Sequence, residues 1–167
     1  ASTEQLRHVT GSLAASLKGG DGRYELSTFT LRTDAIEVEG SGELEARGRD
    51  EPPAIGANVV ARIDLERAGA LLAEDVDIFP ESEGIVQVRA RAAGTTREPS
   101  FSARLWSSGA VVEGTAVDDL LLSARATASS ASVDTLKARV LGGAVLARGE
   151  ARFPDGLRYS GELELNG

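Results

Sequence analysis

Apolar and polar residues alternate along most of this chain. Between Gly84 and Leu105 the order G-I-V-Q-V-R-A-R-A-A-G-T-T-R-E-P-S-F-S-A-R-L sets Val86, Val88, Ala90 and Ala92 on one face, then Phe101, Ala103 and Leu105. A period of two sends successive side chains to opposite faces, so this stretch predicts two half-buried strands hinged between Gly94 and Pro99. Ile55, Ala57, Val59, Ala61, Ile63 and Leu65 form the cleanest run of the same kind.

The pattern recurs with interruptions. Tyr24 and Leu26 start one run, Phe29 and Leu31 shift its phase by one residue, and Ile36, Val38, Gly40, Gly42, Leu44 and Ala46 resume it. A phase shift inside a strand predicts a bulge or a tight corner. Pro52-Pro53 then breaks pairing. Further on, Ala110 to Ala116, Leu120 to Ala128, Val133 to Val140 (with one slip), Val145 to Phe153 and Leu157 to Leu165 alternate in turn. Gly19 to Gly22, Gly142-Gly143 and Pro154-Asp155-Gly156 are expected turns.

Two stretches carry helical spacing. From Leu6 to Lys18, helical spacing of Leu6, Val9, Leu13 and Leu17 competes with alternation from Val9 to Lys18. Alternation explains more positions, and Gly11 would cost a helix about 1 kcal/mol, so a strand is expected. After Asp64, a plausible N-cap, Leu65, Ala68, Leu71 and Leu72 share one helical face, predicting a short helix near residues 65–74. Gly69 and the acids Glu74 and Asp75 at its C-terminal end limit its length.

Turns every 10 to 14 residues or so predict an all-β array of short antiparallel strands, in one repetitive domain spanning 1–167. Gly42-Glu-Leu-Glu-Ala46, Gly149-Glu-Ala-Arg-Phe153 and Gly161-Glu-Leu-Glu-Leu165 repeat one pattern without a fixed period. Such repetition suggests an elongated sheet that grows strand by strand. The abrupt start at Ala1 and finish at Gly167 suggest a segment of a longer chain.

Composition narrows the picture. Roughly one residue in seven is Ala while aromatics are 4%. Inward positions filled by Ala, Val, Leu and Gly cannot fill a wide interior, which leaves room for a shallow apolar groove. The net charge is −8, with Arg and Glu interleaved, which solvates strand faces and opposes a nucleic-acid partner. The absence of cysteine removes disulfides and thiolate metal sites, and fits either the cytoplasm or an oxidising periplasm. No apolar run approaches the roughly 20 residues of a membrane helix.

Candidate chemistry is sparse, and no catalytic residue, cofactor or metal site is expected. His8, the single histidine, sits on a polar strand face beside Arg7 and reads as a surface residue. Glu74, Asp75, Asp77, Glu81 and Glu83 lack the ligand order of a calcium loop and read as a solvated loop. Asp118-Asp119 reads as a turn preceding Leu120 in preference to half of a carboxylate pair. The glycine-rich segments lack a phosphate-binding order. Trp106 falls out of phase with Phe101, Ala103 and Leu105, so it is placed on the opposite face.

The ordered set D-L-E-R-A-G-A-L-L-A, Gly84-x-V-x-V-x-A-x-A-x-Gly94-Thr95, Pro99-x-F-x-A-x-L and Gly109-A-V-V-E-Gly114 resembles the AsmA-like superfamily, and within it the TamB proteins of diderm bacteria. The resemblance extends over roughly Leu26 to Leu165. It implies a long, curled antiparallel sheet with a concave apolar groove, located in the periplasm, in a parent chain anchored in the inner membrane. It also implies a non-enzymatic role in phospholipid transport between membranes or in outer-membrane protein assembly, with phospholipid acyl chains and an outer-membrane barrel as partners. The residues expected to line the groove are Val86, Val88, Ala90, Phe101, Ala103, Leu105, Val112, Leu120, Leu122, Ala124, Val145, Ala147, Leu163 and Leu165. The rival architecture is a closed β-solenoid or sandwich acting as an extracellular scaffold or adhesin stalk.

Overall fold

The structure is a computed structural model that describes residues 11–46, 48, 50–72, 81–153 and 158–167. The strands are β1 (Gly11–Gly20), β2 (Arg23–Thr33), β3 (Ile36–Glu45), β4 (Ala54–Asp64), β5 (Ser82–Thr95), β6 (Pro99–Val112), β7 (Thr115–Thr127), β8 (Ser130–Val140), β9 (Gly143–Arg152) and β10 (Arg158–Asn166). Among the described residues the one helix, α1 (Leu65–Leu72), follows β4. Each strand pairs antiparallel with its neighbour in sequence, giving a single ten-stranded sheet that does not close on itself. The closed sandwich or solenoid is therefore not the architecture.

Tight turns impose this meander. Asp21-Gly22, Glu113-Gly114 and Leu141-Gly142 all hold two consecutive residues at positive φ, between 48° and 83°. Two such residues make the primed turn whose twist matches that of the strands it joins. Only two residues are needed, so the strands run on through Gly20 and restart at Gly143, which the sequence places in the turns. Gly94, at φ 103°, takes the chain out of β5, and a Cβ there would strike the carbonyl oxygen of Glu98. Asp34-Ala35 separates β2 from β3, a turn hidden from the sequence reading because neither residue is Gly or Pro.

The register aligns apolar residues across the whole sheet. One row runs Leu17, Leu26, Gly42, Ala57, Ala92, Phe101, Ala126, Ala131, Ala151, Tyr159. The next runs Ala15, Phe29, Gly40, Val59, Ala90, Ala103, Ala124, Val133, Gly149, Gly161, and a third runs Leu13, Leu31, Val38, Ala61, Val88, Leu105, Leu122, Leu136, Ala147, Leu163. Every strand contributes to each row, and no row contains a polar side chain other than the Tyr159 hydroxyl. At about 4.8 Å between strands and 6.8 Å between alternate residues, these rows span roughly 43 Å by 14 Å.

Bulges preserve the face wherever the sequence slips. The shift between Leu26 and Phe29 sits in β2, and β8 shifts between Val133 and Leu136. In β6 the apolar phase moves from odd positions at Leu105 to even positions at Ala110. The register of β5 with β6 shifts over the same stretch, and that of β7 with β8 shifts between Asp118 and Leu121. Two sequence expectations are corrected here. Asp118-Asp119 is no turn but a bulge inside β7, with Asp119 at φ 53° and its carboxylate 3.3 Å from Arg139. Ala110 to Ala116 is no single run, because the Glu113-Gly114 turn divides it between β6 and β7. Ser107, buried at the β6 bulge, donates its hydroxyl to the Ile85 carbonyl at 2.8 Å and accepts from the Gly109 N–H at 3.3 Å.

The helix closes one end only. Asp64 Oδ1 accepts the Arg67 N–H at 3.2 Å, the N-cap that the sequence predicts. The Asp64 N–H bonds to Ala35 O at 2.8 Å and the Arg67 guanidinium to Asp34 O at 3.1 Å, tying the helix to the β2–β3 turn. Ala35, Ala68, Val86, Ala110 and Ala138 are the buried apolar residues among those described, and α1 packs mainly on β5. His8, Glu74, Asp75, Asp77 and the turn at Pro154-Gly156 lie outside the described residues.

Elsewhere the sheet is one layer thick. The chain exposes 12198 Å², whereas a compact globule of 17.4 kDa would expose about 7,900 Å². Among the described residues no large side chain is fully buried. Packing within the sheet is correspondingly important: the Phe29 ring lies over Gly40, where an added Cβ would collide with it and come within 2.8 Å of Asn58 O. Gly40→Ala is therefore expected to destabilise by about 1–3 kcal/mol in chemical denaturation, whereas Gly20→Ala, with open space around the new Cβ, is expected to leave the midpoint unchanged.

Candidate functional site: an apolar groove across seven strands

A depression of about 700 Å³ with an almost wholly apolar surface lies on the aligned face. Its lining takes two residues from each of six strands: Ala57 and Val59 of β4, Ala90 and Ala92 of β5, Phe101 and Ala103 of β6, Ala124 and Ala126 of β7, Ala131 and Val133 of β8, Gly149 and Ala151 of β9. Tyr159 of β10 completes it. Six steps between strands would separate β4 from β10 by roughly 29 Å on a flat sheet. One depression bordered by both shows the face curling inward. Arg91, Ser102, Arg125, Ser132, Glu150 and Ser160, the alternate residues of these strands, also border it.

The hollow follows from side-chain size. Along the middle row the central and distal positions are Ala90, Ala103, Ala124, Val133, Gly149 and Gly161, and Gly149 stands directly opposite Gly161. Small residues fill little depth, while Phe101 and Tyr159 in the neighbouring row rise beside them, 49% and 84% exposed. A volume of this size falls within the usual range for small-molecule sites. Its lining offers apolar contact and few directed polar groups, which suits an aliphatic ligand.

The structure brings together Ala90, Phe101, Ala103 and Ala124 of the expected lining residues. Val88, Leu105, Leu122, Ala147 and Leu163 share the face in the adjacent row but lie beyond the depression. Val86, Leu120, Val145 and Leu165 stand further toward the helix end, and Val112 pairs with Ser82 and Thr115 beside the β6–β7 turn. Leu163 and Leu165 on the edge strand are 64% and 69% exposed. Ala57, Val59, Ala92, Ala126, Ala131, Val133, Gly149, Ala151 and Tyr159 border the depression outside the expected set. Alternation places all of them on this face, but their shared depression depends on register between strands, which the pattern within one strand does not encode.

The opposite face is charged and mostly neutralised in pairs. Arg23 meets Glu43 at 3.0 Å, Arg32 meets Glu37 at 2.7 Å, and Arg148 meets Glu162 at 2.6 Å. Arg125 grips Asp134 with two hydrogen bonds of 2.7 and 2.8 Å. Those bonds hold the Asp134 carboxyl below the usual carboxylate range, helped by the Ser132 hydroxyl and opposed by partial desolvation. Trp106 lies on this face, opposite Gln87 and Leu121, as its phase predicts. Among the described residues no group of three or more His, Cys, Asp or Glu side chains is arranged to hold a metal, and no helix is long and apolar enough to cross a membrane.

Comparison with protein-family models, with curated proteins and with solved structures finds no match to this chain. The groove's chemistry must therefore be judged from its own residues.

A carboxyl titration followed by NMR is expected to place Asp134 below the ordinary aspartate value of about 3.9, with Arg125→Gln moving it upward. Because its folded-state pKa is depressed, the pair's small contribution is complete above the unfolded carboxyl range and fades as pH falls through the lowered value.

Proposed function

We propose that this chain is a non-enzymatic segment of a TamB or AsmA-like envelope protein, whose apolar groove cradles phospholipid acyl chains during transport between membranes or supports outer-membrane protein assembly. The observation that carries the reading is the apolar face, unbroken over ten strands and hollowed into a groove. Burying a ten-carbon stretch of acyl chain there gains on the order of 8 kcal/mol, against at least roughly 4 kcal/mol lost on association. The net is modest and non-directional, which suits a conduit that must release many kinds of lipid. No catalytic group is required.

The likeness of the repeated strand pattern to TamB proteins supports a periplasmic setting in a parent chain anchored in the inner membrane. An outer-membrane barrel would engage that parent chain. The single open layer favours a lipid conduit over a scaffold, because a scaffold gains stability from covering its apolar face with a second layer.

Native mass spectrometry on protein released under non-denaturing conditions tests the reading. Phospholipid masses are expected on the chain, with occupancy reduced at least fivefold by Val133→Glu, which places a charge in the groove, while strand content by circular dichroism stays constant. A chain that is unliganded in every preparation, and takes up no lipid on incubation with phospholipid, would defeat the proposal.

A further inference from the structure

Over most of the polar face an arginine stands beside a carboxylate, as in the pairs of Arg23, Arg32, Arg125, Arg139 and Arg148. Across the middle of β5 to β7 that rule lapses for every arginine but Arg125. Segments 58–61, 87–93, 100–106 and 121–127 hold Arg89, Arg91, Arg104 and Arg125 and not one Asp or Glu, in a chain of net charge −8. Arg89 and Arg104 are direct cross-strand partners, an arrangement of like charges that weakens a sheet. Arg91 and Arg125 flank Ser102 in the neighbouring row. Arg89, Arg91 and Arg104 form no ion pair among the described residues.

The surface between these arginines is concave. A depression of about 720 Å³ is bordered by Arg89, Arg91, Arg104, Arg125, Trp106 and Leu121, together with Asn58, Ser102 and Ser123, and by Ala90, Ala103 and Ala124, which the single-layered sheet also presents to the groove. Its one carboxylate, Asp134, is already held by Arg125. Guanidinium groups bind phosphate oxygens through paired hydrogen bonds. A soluble anion would call for polar surroundings throughout, yet Trp106 and Leu121 are cross-strand partners at this rim, and Val60 stands 44% exposed opposite Arg89. Arginine interleaved with Trp and aliphatic side chains matches the membrane interface, where headgroup and hydrocarbon meet.

From this geometry we infer that the polar face of β4–β7, on the side of the sheet opposite the groove, is a binding site for the phosphate-bearing headgroup of an anionic lipid. It does not rest on the groove holding lipid. Repulsion among the arginines is relieved when the phosphate arrives, so a structural weakness of the unliganded sheet becomes a source of affinity.

The test is co-sedimentation of the chain with vesicles of phosphatidylcholine alone or with added phosphatidylglycerol. Preferential binding to the anionic vesicles is expected, weakening as salt is raised. Arg89→Gln with Arg104→Gln should lower that binding about tenfold or more. Its thermal midpoint should hold or rise, since a repulsive pair is removed, which separates lost binding from lost folding. Val133→Glu, on the other face, should keep the parent's preference for anionic over phosphatidylcholine vesicles whatever its total lipid uptake, so this site and the groove fail or succeed independently. Equal binding to both vesicle types, or binding undiminished in the double variant, would overturn the inference. It would equally be overturned if inorganic phosphate or polyglutamate bound at these arginines while anionic vesicles did not.

Discussion

Cross-strand register is the constraint on which this molecule depends. Three rows of apolar side chains pass through all ten strands, and each strand can keep its place only by presenting the same face as its neighbours. A slip of one residue would turn Leu122, Val88 or Ala103 toward water and bring arginines to the groove. The bulges at Leu26–Phe29, at Ser107–Gly109 and at Asp119 absorb extra residues at the points where alternation changes phase. Buried Ser107 satisfies the backbone at one of them, and the Asp119 to Arg139 contact braces another.

Among the described residues this sheet has no second layer. Apolar faces ordinarily find stability by packing on another sheet or on helices, but α1 covers only the end near Val86 and Ala68. The remaining face keeps large side chains such as Leu13, Leu17, Phe101 and Tyr159 substantially exposed. Stability must come from the hydrogen-bonded ladder, from contacts such as Phe29 over Gly40, and from the ion pairs of the opposite face. Exposed pairs of this kind each contribute little, so the ladder and lateral packing dominate.

Much of the architecture is legible from alternation alone, because a half-buried strand repeats every two residues. The hairpin through Gly94 and Pro99, the bulge before Phe29, the Asp64 cap and the outward placement of Trp106 all follow from local pattern. The Asp34-Ala35 turn escapes it, since no Gly or Pro marks the change of direction. Asp118-Asp119 resembles a turn in composition, yet tertiary pairing with Gly109 and Arg139 holds the pair inside a strand. The groove is harder to read. Ala57 and Tyr159 border one depression although a hundred residues separate them, and only curl of the sheet brings them near. The arginine cluster likewise comes from four strands, each of which on its own looks like an ordinary solvated face.

The central claim is that the apolar face receives acyl chains, and the cysteine-free sequence allows a direct measurement. A fluorophore attached at Val133→Cys, on the groove floor, and another at Glu39→Cys, on the opposite face, can be exposed to phosphatidylcholine carrying brominated acyl chains, a lipid with no net charge to draw it to the polar face. The account predicts strong quenching at position 133 and little at position 39. Equal quenching at both positions, or none at 133, would contradict it.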